Sequence, residues 1–245
     1  MMEDGVAIVI DAGIGIRMTM KHLANYCLPM AAVKGILLTH DHMYHVKSVG
    51  MISRKNRIPV YATSDVFAGM MRNPCLTVKV PADLQRTFEN GIQVEIGPFR
   101  IESFTVPHDA SRNSGYFIET PRTTFCIMTD IGHMTDEMVG YLGKAENLVV
   151  ESNYDPYMLE AGRYPRFLKD RIKGGLGHIS NPQTADALAK HLTGKTKRIW
   201  LCHLSEENNH PNKAFETVSQ AISAAGLSPE LFVLRRRIPT GIFEW

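Results

Sequence analysis

The chain is 245 residues long, with 44% apolar and 21% charged side chains. That is ordinary globular composition and enough length to bury a sizeable core. No apolar run approaches a membrane span, no basic segment leads an apolar export signal, and a formal net charge of +2 says little about partners. The four cysteines, Cys27, Cys75, Cys126 and Cys202, are too widely spaced for a disulfide frame or a Cys-x-x-Cys site and read as reduced core thiols of a cytoplasmic protein.

Val6 to Ile10 reads as a strand ending at Asp11-Ala12-Gly13, and Arg17 to Leu28 as a helix stopped by Pro29. A buried strand, Gly35 to Leu38, runs into Thr39-His40-Asp41-His42-Met43-Tyr44-His45. A helix over Lys47 to Asn56, a strand at Val60 to Ala62 and a helix over Asp65 to Arg72 follow. The pattern then turns to β: Ile92 to Ile96, Arg100 to Val106, Gly115 to Glu119 and Thr123 to Met128, separated by Gly, Pro and Asn. Beyond it come a helix over Thr135 to Leu142, a strand over Asn147 to Val150, and a helix over Thr184 to Leu192 with Asn181 as cap and Pro182 at its first position. Ile199 to Cys202 is a strand and Ala214 to Ala225 a helix, and Leu231 to Leu234 with Gly241 to Phe243 close the chain. No repeat, low-complexity tract or linker interrupts it, so residues 1–245 read as a single domain, an α/β sandwich of sheets covered by helices.

Three imidazoles within six residues, after a strand, point several nitrogens into one small volume. Neutral imidazole is the commonest zinc ligand and also suits iron and manganese. A surface run is the plain alternative for any one histidine. More candidates follow strands: Asp11 after Ile8-Val9-Ile10, His108 after Val106-Pro107, Asp130 after Met128-Thr129 and His203 after Cys202. The carboxyl edge of an open α/β sheet is where ligands converge. His40, His42 and His108 would hold one ion, His45 and His203 a second, and Asp130 would stand between them. A hydroxide on the metal would then be the nucleophile of a hydrolytic reaction.

These residues resemble the metallo-β-lactamase superfamily, whose H-x-H-x-D-H signature follows a strand, with further Asp and His at later strand ends. The match covers Asp11, His40, His42, His45, His108, Asp130 and His203. Closer still, Ile10-Asp11-Ala12-Gly13, Val106-Pro107-His108-Asp109, Thr129-Asp130-Ile131-Gly132, Glu151-Ser152-Asn153-Tyr154-Asp155, Gly177-His178-Ile179-Ser180-Asn181 and His203-Leu204-Ser205 resemble its YycJ/WalJ-like branch. The resemblance implies a four-layer αββα sandwich and a cytoplasmic metal-dependent hydrolase associated with DNA exonuclease activity.

The chain departs from that pattern twice. Tyr44 stands where the signature has Asp, so a charged ligand to the second ion is lost and one ion, or a partly filled pair, is expected. The chain also starts Met1-Met2-Glu3-Asp4-Gly5, where relatives have a strand and a Gly/Ser-rich loop. Either the first N-terminal strand is missing, leaving an open edge that invites a dimer, or the start is assigned downstream of the true one.

Gly174-Gly175-Leu176-Gly177-His178 leads into a helix start, which can receive an anion. Arg163, Arg166, Lys169, Arg171 and Lys173 lie just upstream; Lys195 to Arg198 and Arg235-Arg236-Arg237 are further basic runs. His178 is the candidate catalytic residue outside the metal set, beside Asp130, which would orient the nucleophile. Asp11, Tyr44 and Glu151 are candidate supporting residues. His133 reads as a turn residue, His22, His191 and His210 as surface, and Met18, Met20, Met70 and Met71 as core filling.

The reading is a hydrolase using zinc or manganese, one ion or two, with a phosphodiester, nucleic acid in particular, as substrate and no membrane partner. A thioester or small acyl hydrolase and a non-catalytic metal-binding relic are the rival readings. Di-iron redox chemistry fits less well, because that branch resembles H-x-E-x-D-H and this chain has His42.

Overall fold

A computed structural model describes residues 1–236 and 238–245; Arg237, which closes one of the basic runs, lies outside the described residues. The chain divides into two compact units, one of Met1–Ser103, Ala110–Ser114 and Glu119–Pro121, the other of Phe104–Asp109, Gly115–Ile118 and Arg122–Trp245.

In the first unit a five-stranded sheet runs in the order β1 (Met2–Glu3), β2 (Val6–Ile10), β3 (Val33–Leu37), β4 (Val60–Ala62) and β5 (Gln85–Thr87). Strands β2 to β5 pair in parallel. Such strands need crossover connections, and the chain supplies α1 (Ile16–Asn25), α2 (Met43–Val46), α3 (Val49–Asn56) and α4 (Ser64–Arg72). Ile36, Leu38, Val46, Val49, Val60, Val66 and Met70 fill the core between sheet and helices. The hydroxyl of Thr63 caps α4 by accepting from the Val66 N–H, with Asp65 in the first turn where an acid favours the helix dipole. A hairpin of β6 (Gln93–Ile96) and β7 (Phe99–Thr105) turns at Gly97, whose φ of +56 suits a residue without Cβ.

Strand β1 doubles back on the start of β2 through Asp4 and Gly5, both at positive φ. It occupies part of the β2 edge that the sequence reading left open.

In the second unit β12 (Glu230–Val233), β11 (Arg198–Cys202), β10 (Asn147–Glu151), β9 (Thr124–Met128) and β8 (Ser114–Glu119) lie side by side in that order. Strands β9 to β12 are parallel, with Met128 opposite Val150 and Glu151 opposite Cys202. Helices α5 (Asp136–Leu142), α6 (Pro156–Ala161), α7 (Arg166–Lys173), α8 (Asn181–His191) and α9 (Pro211–Ala224) complete it. Its core joins Phe104, Met128, Leu142, Leu148, Leu188, Leu201 and Val218.

Several boundaries differ from the sequence reading. Helix α8 is capped by Ser180, not Asn181: the Ser180 hydroxyl accepts from the Gln183 N–H while the Gln183 side chain accepts from the Ser180 N–H, a reciprocal box that moves the start one residue back. The short elements α2, β5, α6 and α7 carry too few apolar positions to show a period, and residues 241–243 form no strand. Met18, Met20 and Met71 are exposed, because α1 buries none of its side chains fully and Met71 lies on the outer face of α4; Met70 alone of the four is core. Cys126 and Cys202 are buried thiols, but Cys27, just past the end of α1, and Cys75 are exposed.

Gly13 fixes how β2 meets α2. A Cβ there would stand 1.4 Å from the Tyr44 carbonyl oxygen, which is backbone and cannot swing aside. Gly13→Ala is expected to cost about 1–3 kcal/mol in urea unfolding, the usual range for overpacking. Gly15→Ala, with open space around the new methyl, serves as the control and should change little.

Candidate metal and catalytic site

Parallel strands end at the same edge of a sheet, and both units use that edge. In the first unit Asp11 follows β2 directly, at a φ of +54 that bends the chain sharply. Its Oδ1 accepts from the Thr39 N–H at 2.9 Å, and its Oδ2 meets the Thr39 hydroxyl at 2.8 Å and His45 Nδ1 at 2.7 Å. The Thr39 hydroxyl also lies 3.0 Å from His40 Nδ1. An Nδ1 held by a carboxylate keeps the proton and leaves the Nε2 lone pair as the metal donor. The His40 ring centroid lies 4.6 Å from that of His42 and 4.1 Å from that of His45. His42 is the N-cap residue of α2 and His45 lies within that helix, so one short turn carries two of the three rings.

Asp41 points away from this group. It accepts from the Ser111 N–H at 3.1 Å and from the Ser111 hydroxyl at 2.7 Å, tying the histidine loop to 110–114. Tyr44, counted above among the supporting residues, is 82% exposed.

In the second unit Asp130 follows β9 by two residues, Glu151 is the last residue of β10, and His203 follows β11 directly. Asp130 and His203 take φ values of +57 and +54, the conformation of Asp11. Three strand ends thus turn through the left-handed region at a candidate site residue, a placement non-glycine residues seldom adopt.

Glu151 has no exposed surface, and its Oε1 lies 2.9 Å from His178 Nδ1 and 2.6 Å from His203 Nδ1. Its Oε2 accepts from the Ile131 N–H at 2.7 Å and from the Ile179 N–H at 3.4 Å. Asp130 Oδ1 lies 3.5 Å from His203 Nε2 and 3.7 Å from His108 Nε2, and His108 Nδ1 meets the Gly177 carbonyl at 3.0 Å. Asp130, Glu151, His178 and His203 each offer a ligand atom, all within 4.8 Å of one another. Imidazoles oriented through Nδ1 beside carboxylates form a donor set that fits a divalent ion.

Burial alone would raise the Glu151 pKa; the His178 and His203 imidazoles outweigh it and hold the carboxyl at about 2. Burial alone would lower the His203 pKa, but the Asp130 and Glu151 carboxylates lift it to about 9. At His108 burial wins over the nearby carboxylates and the pKa falls.

The sequence reading named each of these histidines and the acids Asp11, Asp130 and Glu151 but missed Thr39, on which the first cluster turns, and Asn153, whose side-chain amide donates to the His203 carbonyl at 2.7 Å. A threonine at the end of a strand carries no signal of such a role. His133 Nδ1 meets the Gly175 carbonyl at 2.7 Å, as a turn histidine does, and His210 caps α9.

A family model described as a beta-lactamase superfamily domain matches residues 7–204. Exodeoxyribonuclease YycJ of Bacillus anthracis is 35% identical over 223 residues, 91% of this chain and 83% of that protein. Exodeoxyribonuclease WalJ of Streptococcus pneumoniae serotype 2 is 34% identical over 220 residues, 90% of this chain and 81% of the relative. Among solved structures, Zn(2+)-bound PqqB from Methylobacterium extorquens has a TM-score of 0.71 at 18% identity, over 96% of this chain and 83% of its own, a likeness of fold.

Because the Glu151 pKa is lowered on folding, its contribution to stability is present above the unfolded value of about 4.3 and is lost as pH falls through that value toward 2. Thermal unfolding in chelator between pH 6 and pH 3 should show this acid limb in the native protein and a flatter one in Glu151→Gln.

Proposed function

Because the chain belongs to the beta-lactamase superfamily domain family, we propose that it is a metal-dependent exonuclease that cleaves DNA phosphodiesters from a strand end. The fold is the α/β sandwich of that superfamily, mixed sheets flanked by helices, and the protein is a hydrolase of phosphodiesterase type. The exodeoxyribonuclease names of relatives at 34% and 35% identity support DNA as the substrate. The observation that carries the reading is the convergence of Asp130, Glu151 and His203 from strand ends with His178 from the loop before α8, their ligand atoms within 4.8 Å of one another around the buried Glu151 carboxylate.

Zinc or manganese is the proposed metal, with His40, His42, His45, His108, Asp130 and His203 as the ligands assigned from the sequence. When bound, a divalent ion supplies Lewis acidity at phosphorus and a water activated at neutral pH. Asp130 orients the attacking water and accepts its proton as the water oxygen bonds to phosphorus. The bond from phosphorus to the leaving sugar oxygen breaks, and that oxygen takes a proton from Nε2 of His178, the ring Glu151 holds through Nδ1. With a phenol at position 44 in place of a carboxylate, a second ion is bound more weakly than the first.

The family model runs through residues of both units, which supports reading residues 1–245 as one domain. Unpaired cysteines support a cytoplasmic place of work. Among the described residues, no helix is long and apolar enough to cross a membrane.

The test is degradation of end-labelled DNA in manganese or zinc, stopped by chelator, in the native protein and in His178→Ala. The variant should lose about 10²- to 10⁴-fold on DNA, the usual worth of a general acid. It should lose much less on bis-p-nitrophenyl phosphate, whose leaving phenolate needs no proton. Equal losses on both substrates, or no DNA degradation by the native protein, would remove this role.

A further inference from the structure

The surface that leads into His178 combines two features of a single-strand binding groove. Tyr157 on α6 is 78% exposed and Phe167 on α7 is 74% exposed. Isolated exposed apolar residues are common. Here these two exposed rings, with the half-buried Tyr164 between them, lie within eleven residues that also carry Arg163 and Arg166, and Lys169, Arg171 and Lys173 follow; the acids of this stretch are Glu160 and Asp170.

The two helices are joined through Glu160. Its side chain pairs with Lys173 and lies 3.8 Å from Arg166 Nη1, and its carbonyl accepts from Lys169 Nζ at 2.5 Å. Tyr157 lies three residues before Glu160, which places the two on the same face of α6. Helix α7 buries none of its side chains fully, so Phe167 adds little to the core.

The chain then runs from α7 through Gly174 to Gly177 into His178. Arg171 is anchored to Asp109 at 2.5 Å, and a Cβ on Gly177 would stand 2.2 Å from the Arg171 and Ile172 carbonyl oxygens, so the end of α7 is packed closely against the loop that carries the proposed acid.

We propose that α6 and α7 form a platform for single-stranded DNA: Tyr157 and Phe167 stack on successive bases, while Arg163, Arg166 and Lys169 meet the phosphates and lead the strand toward His178. Five cations against three carboxylates, Glu160, Asp170 and the Asp109 that holds Arg171, leave an excess of positive charge that suits a polyanion, and exposed rings suit bases, which present an apolar face whatever their sequence. The proposal rests on the nuclease reading above and goes beyond it in naming where the strand lies.

The test uses the full chain with manganese and a fluorescein-labelled phosphorothioate oligothymidine of roughly 15 nucleotides, a length that spans one such groove. Binding is read by anisotropy, and bis-p-nitrophenyl phosphate turnover is read alongside. Tyr157→Ala and Phe167→Ala should each weaken binding about 5- to 150-fold, the range for losing one stacked base, with small-diester turnover and melting temperature unchanged. The pair Arg163→Glu and Arg166→Glu should flatten the dependence of log affinity on log salt by about 1.4. If the native protein binds and degrades DNA while Tyr157→Ala/Phe167→Ala binds as tightly, the platform is refuted and the nuclease reading stands. If the native protein neither binds nor degrades DNA, that reading falls and the platform with it.

Discussion

Glu151 lies wholly inside the protein, and both of its oxygens are used: one meets the Nδ1 atoms of His178 and His203, the other accepts from the Ile131 and Ile179 N–H groups. A carboxylate without solvent is costly unless paired and hydrogen-bonded, and these contacts supply the pairing. They also bind four chain segments together, because Ile131 follows Asp130, Ile179 follows His178 and His203 follows β11. The geometry of the second cluster therefore depends on one side chain at the end of one strand. That strand is central, paired in parallel on both sides, so its end cannot shift without breaking two ladders.

The first unit uses the same device with other residues. Asp11 sits at the end of β2 and holds Thr39 and His45, as Glu151 holds two histidines. In both cases a carboxylate at a strand terminus fixes Nδ1 and leaves the far ring nitrogen to do the chemistry. The left-handed turns at Asp11, Asp130 and His203 accompany this, because each places a side chain within two residues of the strand end and then redirects the backbone. Strain of this kind persists where the surroundings over-determine it, as the hydrogen bonds to Asp11 and the pairing of β10 and β11 do here.

The strands that carry the site were legible because buried parallel strands read as short apolar runs, and each run stops abruptly at a polar residue. Val6 to Ile10 before Asp11 and Thr124 to Met128 before Asp130 show this plainly. What holds the candidate ligands was less legible. Thr39 is an ordinary strand-end residue until its hydroxyl is seen between Asp11 and His40, and no local pattern announces contacts across many residues. Helices α6 and α7 escaped the periodicity because they are only six and eight residues long, too short for an apolar stripe to repeat. The exposed methionines of α1 and the exposed Cys27 were misjudged for a related reason: residue type suggests burial, but a helix with no buried side chain gives it nothing to pack against.

The second cluster depends on Glu151 acting through the imidazoles it orients. Its most direct test is the affinity for zinc or manganese, measured by chelator competition in the native protein and in Glu151→Gln, with circular dichroism confirming that both are folded. Loss of the oriented Nδ1 contacts should weaken the metal about 10- to 100-fold, as removal of such a partner does elsewhere. A folded Glu151→Gln protein that binds metal as tightly as the native one would contradict it.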